Sequence, residues 1–478
     1  MKVALINAPV VAGGRFNREG RCTQFASRWA TQWPPISLAY VAAVLLAQRH
    51  EPLVFDCPAA AMPAEKLMAA LQSRPPELVL MPVSTPSFPS DMSMARAIKQ
   101  ALPAVKIAVF GVHATAVDRE VLHGFAAVDF VIRREPEATA AELVGALENG
   151  GALSDVAGLT FRTGADARRN PDRPFIEDLD RLPFPAWQRL RRADYRLPFS
   201  GRPFLIVAPL RGCPHRCIFC TAGEYYGRQL RRRSVESIVR EIRRDVEAFG
   251  VRDFLMWAET FTLDRGFVWD LAGALRRETP GVRWTCNSRL DTVDEELLRA
   301  MRAAGCWMIG FGVESTDAAV QARLRKNLHP ADWRTPLRQA RAAGIRTVGH
   351  FILGLPGDTP ETMRQTIADA AAMDLDLAQF YAAAPFVGSE LHREAAANGW
   401  LVDAAFSDMQ QAAASLRLPG LPPAAVNAAI RRAYRRFYLR PRQLARVLLL
   451  AGVRGVARET YGALRAATAR LGKGRRQA

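Results

Sequence analysis

The 478-residue sequence predicts an α/β protein built of two successive units, a doubly wound parallel sheet and then a partial (βα)6 barrel, with a helical region closing the chain. Three observations predict it. Short apolar runs alternate with amphipathic helical stretches up to about residue 150, and the same alternation restarts at about residue 201. A Pro- and Asp-rich stretch of weak periodicity separates them. A composition of 49% hydrophobic and 23% charged residues supports a core in each unit and excludes a disordered or fibrous chain.

In residues 1–150 the runs VALINA, LVF, LVLMPV, KIAVFG and DFVI read as strands, and SLAYVAAVLLAQ, ARAIKQAL and EATAAELVGAL as the helices that cover them. MKVALINAP reads as the first strand, not as a leader. Ligands of such a sheet sit at the carboxyl ends of its strands. These ends read Asn7-Ala8-Pro9, Ser84-Thr85-Pro86, Gly111-Val112-His113-Ala114 and Arg133-Arg134-Glu135-Pro136. None is the GxGxxG turn of a nicotinamide site, which disfavours a plain dehydrogenase. Residues 151–200, with NPDRPFIEDLDRLPFPAW, read as a connector laid over the surface.

Residues 201–399 supply the strands FLIVAPL, DFLMWA, VRWTC, WMIGFG, RTVGHFIL and LAQFYA, each followed or preceded by a helical run. Six pairs fall short of an eight-fold barrel, so a partial barrel is the economical fit. Residues 400–478 read as helical and end in a basic tail: residues 431–478 hold 14 basic residues and one acid, a local +13 of the total +18. The longest apolar run there, VLLLAGV, is too short to span a bilayer, so a cytoplasmic protein is expected.

Seven cysteines are too few for a secreted disulfide scaffold, and three of them, Cys213, Cys217 and Cys220, fall in one loop, RGCPHRCIFCTAG. Three thiolates from one loop can bind three irons of a four-iron cluster and leave the fourth iron open. The alternative is zinc completed by His215, but no second Cys/His dyad follows. Cys286 and Cys306 fit apolar strand and helix-end patterns and read as buried fillers. Cys22 is placed either near a cofactor or in a loop.

With the aromatic Phe219 before its last cysteine, at the end of the first barrel strand, this motif resembles the signature of the radical S-adenosylmethionine enzymes. WAETFTLD (257–264), NSRLD (287–291), GFGVES (310–315) and HFILGLPGDT (350–359) resemble the following strand ends of that family, in order. The resemblance implies that the open iron chelates S-adenosylmethionine and that one electron cleaves it to a 5′-deoxyadenosyl radical. It also implies a cavity-facing acid in Glu259, a partner for the methionyl carboxylate in Arg289, and ligands for ribose or the methionyl amine in Glu314 and Ser315. Gly354 and Gly357 would let the backbone approach adenine or ribose.

The first unit then looks like the flavodoxin-like cobalamin-binding domain of the B12-dependent members. It lacks the DxHxxG motif whose histidine ligates cobalt, and His113 stands in the wrong context to replace it. His113 is expected near the nucleotide tail or in a satisfied loop, and Ser84, Thr85, Gly111 and Glu135 against the corrin or its tail.

The function implied is methylation of an unactivated carbon, with methyl drawn from methylcobalamin and hydrogen removed by the adenosyl radical, and a reductant such as flavodoxin or ferredoxin. Its rival is radical ring closure of the anaerobic magnesium-protoporphyrin ester cyclase type, which RRFYLRPR (435–442) also resembles. A tRNA methylthiotransferase is disfavoured, since only Cys22 and Cys57 lie in the first unit. A cobalamin sensor or a nucleic-acid-binding module is the alternative of another class, invited by Tyr434, Phe437, Tyr438 and Tyr461 among arginines. The apolar spacing of the tail favours a helix docked on the barrel, and next a contact with anionic lipid that would suit a hydrophobic substrate. Nucleic acid is the least favoured partner.

Overall fold

The structure, a computed structural model, describes residues 1–9, 16–19, 24–25, 32–198, 200–326, 328, 333–402, 406 and 409–450. Cys22 and Tyr461 lie outside the described residues.

The first sheet has seven strands: β1 (Val3–Asn7), β2 (Leu53–Asp56), β3 (Leu78–Pro82), β4 (Lys106–Phe110), β5 (Phe130–Ile132), β6 (Leu159–Thr163) and β7 (Asp166–Arg169). Their order is β2-β1-β3-β4-β5-β6-β7. The first five are parallel, and the order reverses beside β1, which makes a topological switch point between β1 and β3. Helices on both faces explain why β1 and β3 are buried at every position: Leu67 and Ile98 pack on one face, Leu38 and Val144 on the other.

Here the sequence reading needs correction. β6 and β7 form an antiparallel hairpin on the edge of this sheet, so the first unit extends past 150 to Arg169. The connector is then shorter, and it is not a surface ribbon: Trp187 and Tyr195 are fully buried, and the Tyr195 hydroxyl donates to Asp56 Oδ2 at 2.7 Å. A further helix, Ala64–Ser73, was not anticipated; it buries only Leu67 and Leu71, too thin a stripe to stand out.

The second sheet comprises β8 (Phe204–Val207), β9 (Asp253–Met256), β10 (Arg283–Ser288), β11 (Cys306–Glu314), β12 (Arg346–Leu353) and β13 (Leu377–Ala382). All are parallel and ordered as in the sequence. β8 and β13 are its two ends, so this is the six-stranded partial barrel expected. Side-chain caps stop four of the loops and start the next helix: Ser234 accepts from Ser237 N, Asp264 from Phe267 N and Asp294 from Leu297 N, while Thr359 and Thr362 form a reciprocal capping box.

Residues 409–422 are not helical, contrary to expectation; they are irregular, with isolated bridges Leu401–Leu416 and Leu418–Leu421. Helix begins at Pro423, where a proline costs no hydrogen bond, and runs to Tyr438. It buries Val426, Ala429, Ile430, Ala433 and Phe437. The Tyr438 hydroxyl donates to Ala378 O (2.8 Å) and accepts from Ala378 N (3.0 Å), and the Tyr434 hydroxyl bonds Phe380 N and O in the same way. Residues 441–450 are helical again. No helix among the described residues is long and apolar enough to cross a membrane.

Candidate functional site

The carboxyl ends of the barrel strands open into one cleft, about 1060 Å³ including space open to solvent, which the cysteine loop, Glu259, Asn287, Arg289, Glu314 and Lys326 line together. Trp33 of the first unit reaches the same cleft.

The loop after β8 is braced at both ends. Leu210–Arg211 pairs with Arg231–Arg232, and Gly212, at φ +90°, runs so close to Gln229 that a Cβ would lie 2.1 Å from its carbonyl oxygen. Cys213 N donates to Gly227 O (3.1 Å), Cys220 N to Cys217 O (3.1 Å), and Ala222 N to Cys220 Sγ (3.5 Å). Cys213, Cys217 and Cys220 all line the cleft as partly buried thiols, with Phe219 among them. Burial pushes the Cys217 thiol up, while Lys326 and Arg289 draw it down. Among the described residues no three Cys, His, Asp or Glu side chains converge on a point that one ion would fill. A cluster takes each thiolate at its own iron, so three cysteines of one loop lining one cleft suit it.

Beyond the cysteines the cleft carries a buried ion pair that the sequence reading missed. Lys326 Nζ donates to Glu314 Oε1 at 2.6 Å, with both side chains about nine-tenths buried. Glu314 holds φ at +66°, where the β11–β12 register shifts; a non-glycine in that conformation stores strain of about 1–3 kcal/mol. The two glycines of GFGVES are explained here. A Cβ on Gly312 would lie 2.5 Å from Glu314 Oε1 and 2.6 Å from Lys326 Nζ, and one on Gly310 would lie 2.3 Å from Asn287 Oδ1. Arg289 is clamped by Asp291 (2.8 and 2.7 Å) and by the Lys326 carbonyl (2.9 Å). Lys326 gave little signal because it follows Arg323 and Arg325, which form exposed pairs with Glu394 and Glu390.

Two expected contributors lie elsewhere. The Ser315 hydroxyl accepts from Asp317 N (3.2 Å) and faces Thr366, outside the cleft lining. Gly354 abuts Val426, whose methyls a Cβ would meet at 2.9 Å, so this glycine admits the C-terminal helix instead of a nucleotide.

Another part of the cleft is formed by Trp33, Trp257, His350, Tyr381 and Gln411. The two indoles meet edge to face at 5.0 Å, and the Tyr381 hydroxyl lies 3.3 Å from His350 Nδ1. His215 Nε2, Trp257 Nε1 and Gln411 Oε1 are buried with no hydrogen-bond partner among the described residues. Three unmatched polar atoms in one cleft are what a bound ligand would satisfy.

Ser84, Thr85, Gly111, His113 and Glu135, expected against the corrin or its tail, do not line this cleft; they stand at the strand ends of the first sheet. Ser84 bonds Ser87 (2.7 Å), Ser87 bonds Asp91 (2.6 Å), and Asp91 pairs with Arg18 (2.6 Å), which also donates to Asn7. Gly111, at φ +117°, passes so near Val83 that a Cβ would lie 2.4 Å from its carbonyl oxygen. His113 Nδ1 meets Thr85 Oγ1 at 3.2 Å, and its ring packs on Phe88 and Phe406. Burial, with His392 nearby, pushes the His113 pKa down to about 3, so it is a neutral, enclosed imidazole. Glu135 accepts from Arg211, Arg231 and Ile176 N, and thereby joins the two units. Residues 10–15, 20–23 and 26–31, which border this strand-end edge in sequence, lie outside the described residues; Trp33 is the described residue that carries it into the cleft. The edge beside the switch point remains where the fold places a flat cofactor.

Comparison with known proteins agrees with this division. Residues 207–370 match the family described as the radical SAM superfamily, and residues 26–144 match the B12 binding domain. The chain is 28% identical to an uncharacterised methyltransferase of Pyrococcus horikoshii, over 91% of this chain and 95% of that one. It is 30% identical to the anaerobic magnesium-protoporphyrin IX monomethyl ester cyclase of Cereibacter sphaeroides over 76% of this chain, and spans 61% of the cyclase's length. The fold matches the radical S-adenosylmethionine methyltransferase TsrM of Kitasatospora setae, solved with cobalamin and a [4Fe-4S] cluster, with a TM-score of 0.71 at 18% identity, covering 92% of this chain and 89% of that one.

Proposed function

Because the chain belongs to the cobalamin-dependent radical S-adenosylmethionine enzymes, with their [4Fe-4S] cluster, S-adenosylmethionine and cobalamin, we propose that it methylates an unactivated carbon of a small biosynthetic intermediate. The observation that carries this reading is the single cleft in which Cys213, Cys217 and Cys220 meet the Glu314–Lys326 pair and Arg289.

When bound, the cofactors supply a carbon-centred radical and a transferable methyl group. The chain's own residues bind, orient and exclude. Cys213, Cys217 and Cys220 would hold three irons, with Phe219 packed beside them. Lys326, with its charge half-answered by Glu314, is suited to a carboxylate, and Glu314 to an ammonium or a ribose hydroxyl. The strained backbone at Glu314 and the Asp291 clamp on Arg289 fix both groups before any ligand arrives. Glu259, buried in the same lining, is the candidate acid facing the substrate. Trp33 and Trp257 wall part of the cleft, and such enclosure keeps thiols and stray C–H donors away from a carbon radical. A one-electron donor of the flavodoxin or ferredoxin kind completes the cycle.

Similarity to the cyclase favours radical ring closure as the second reading. Anaerobic reconstitution with iron, sulfide and hydroxocobalamin, followed by product analysis with S-adenosylmethionine, separates them. Methylation requires S-adenosylhomocysteine and a product heavier by one methyl; ring closure yields neither. A four-iron signal should vanish in Cys217→Ala, and its persistence there would remove the assigned cluster ligands.

A further inference from the structure

Five of the six large apolar side chains exposed among the described residues crowd into one stretch: Tyr434 (37%), Leu439 (66%), Leu444 (46%), Leu448 (54%) and Leu449 (75%). Single exposed leucines are ordinary, but a contiguous group marks an interaction surface.

Their exposure follows from an inverted helix. Residues 441–450 dock on the barrel through polar side chains: Arg446 donates to Leu375 O (2.8 Å) and to Asp374 Oδ1 (2.5 Å), and Gln443 donates to Asp376 O. Gln443 and Arg446 are the buried residues of this turn, while Leu444, Leu448 and Leu449 face solvent. A helix serving only to cover a core would be turned the other way. The surrounding charge is of one sign, since residues 409–450 contain eight arginines and no Asp or Glu. Arg431, Arg432, Arg435 and Arg436 are exposed on the helix that precedes the leucines. The carboxylates on this side, Asp374 and Asp376, are already taken by Arg341, Arg346, Arg442 and Arg446.

We propose that this face docks on anionic lipid headgroups, with the leucines entering the acyl boundary and the arginines pairing with phosphates. A second copy of the chain would bring the same positive charge and be repelled. A nucleic acid would answer the arginines but leave the leucines wet.

Cosedimentation of the full-length protein with vesicles of phosphatidylglycerol and phosphatidylcholine in equal parts, against phosphatidylcholine alone, tests the proposal without any loaded cofactor. Binding should require the anionic lipid and weaken at high salt. Replacing Leu444, Leu448 and Leu449 together by Ser should weaken it at least about tenfold, and Arg435→Gln and Arg436→Gln about fivefold each. Circular dichroism should be unchanged in all, because these side chains are exposed and none sits in the core. Four results would overturn the proposal: no vesicle binding; equal binding to both vesicle types; vesicle binding gained only when residues 451–478 are removed, which gives the leucines to the chain's own tail; and a lipid-free dimer abolished by the leucine substitutions.

Discussion

Lys326 and Glu314 face each other at 2.6 Å out of water, and that burial decides what either substitution costs. Lys326→Met leaves a carboxylate unpaired in the cleft and should destabilise the fold by about 3–5 kcal/mol in urea denaturation. Adding Glu314→Gln removes the stranded charge and should restore most of that stability, while binding of S-adenosylmethionine to the cluster-loaded protein stays weak. Recovery of both together would show that the pair is structural only. Glu19 is the opposite case, a carboxyl that no cation pairs with among the described residues. It accepts from Ser37 Oγ (2.7 Å) and Ser37 N (3.3 Å), and burial raises its pKa to about 7. The fold favours its protonated form, so the stability tied to Glu19 is complete below pH 4.5 and is lost as pH rises through about 7. Glu19→Gln should therefore flatten the dependence of stability on pH across that window, by up to about 3 kcal/mol. An unchanged slope would mean that Glu19 is not enclosed.

At the scale of elements, every strand of the barrel was legible, because each is a short apolar run between helical stretches with local caps. The cysteine motif was legible for a similar reason, its three ligands being set by spacing within one loop. What escaped depended on contacts between distant segments. Gly354 reads as a nucleotide-binding turn until Val426, on the far C-terminal helix, is seen to occupy the space above it. Glu135 reads as a cofactor contact until two arginines of the second unit are found on it. The β6–β7 hairpin was lost in a connector because its strands are short and β7, DARR, is polar. The floor strand β11 carries a prediction of its own. Gly310→Ala would push Asn287 and His350 out of the cleft, at an overpacking cost of about 1–3 kcal/mol. It should lower both the melting temperature and the affinity for S-adenosylmethionine, and loss of neither would contradict the close packing at β11.

For the whole molecule, the two units are joined by buried charge. Arg211 pairs with Glu135 (3.0 Å) and Glu137 (2.6 Å), its guanidinium lies over Tyr40 and Tyr226, and Arg231 meets Glu135 at 2.9 Å. Arg211→Met would leave Glu137 stranded at the junction and should cost about 3–5 kcal/mol. Calorimetry should then resolve two unfolding transitions where the parent shows one, and a single transition of unchanged temperature would refute the coupling.

The phenols of Tyr434 and Tyr438 carry a different consequence. A parallel sheet that stops two strands short of closure exposes a raw margin on β13, the kind of template on which chains stack into aggregates. Here the hydroxyls of one helix occupy the amides and carbonyls of Ala378 and Phe380 in place of a neighbouring strand. The barrel can thus stay unclosed, with a mouth wide enough for bulky cofactors, while its selvage is stitched by two side chains.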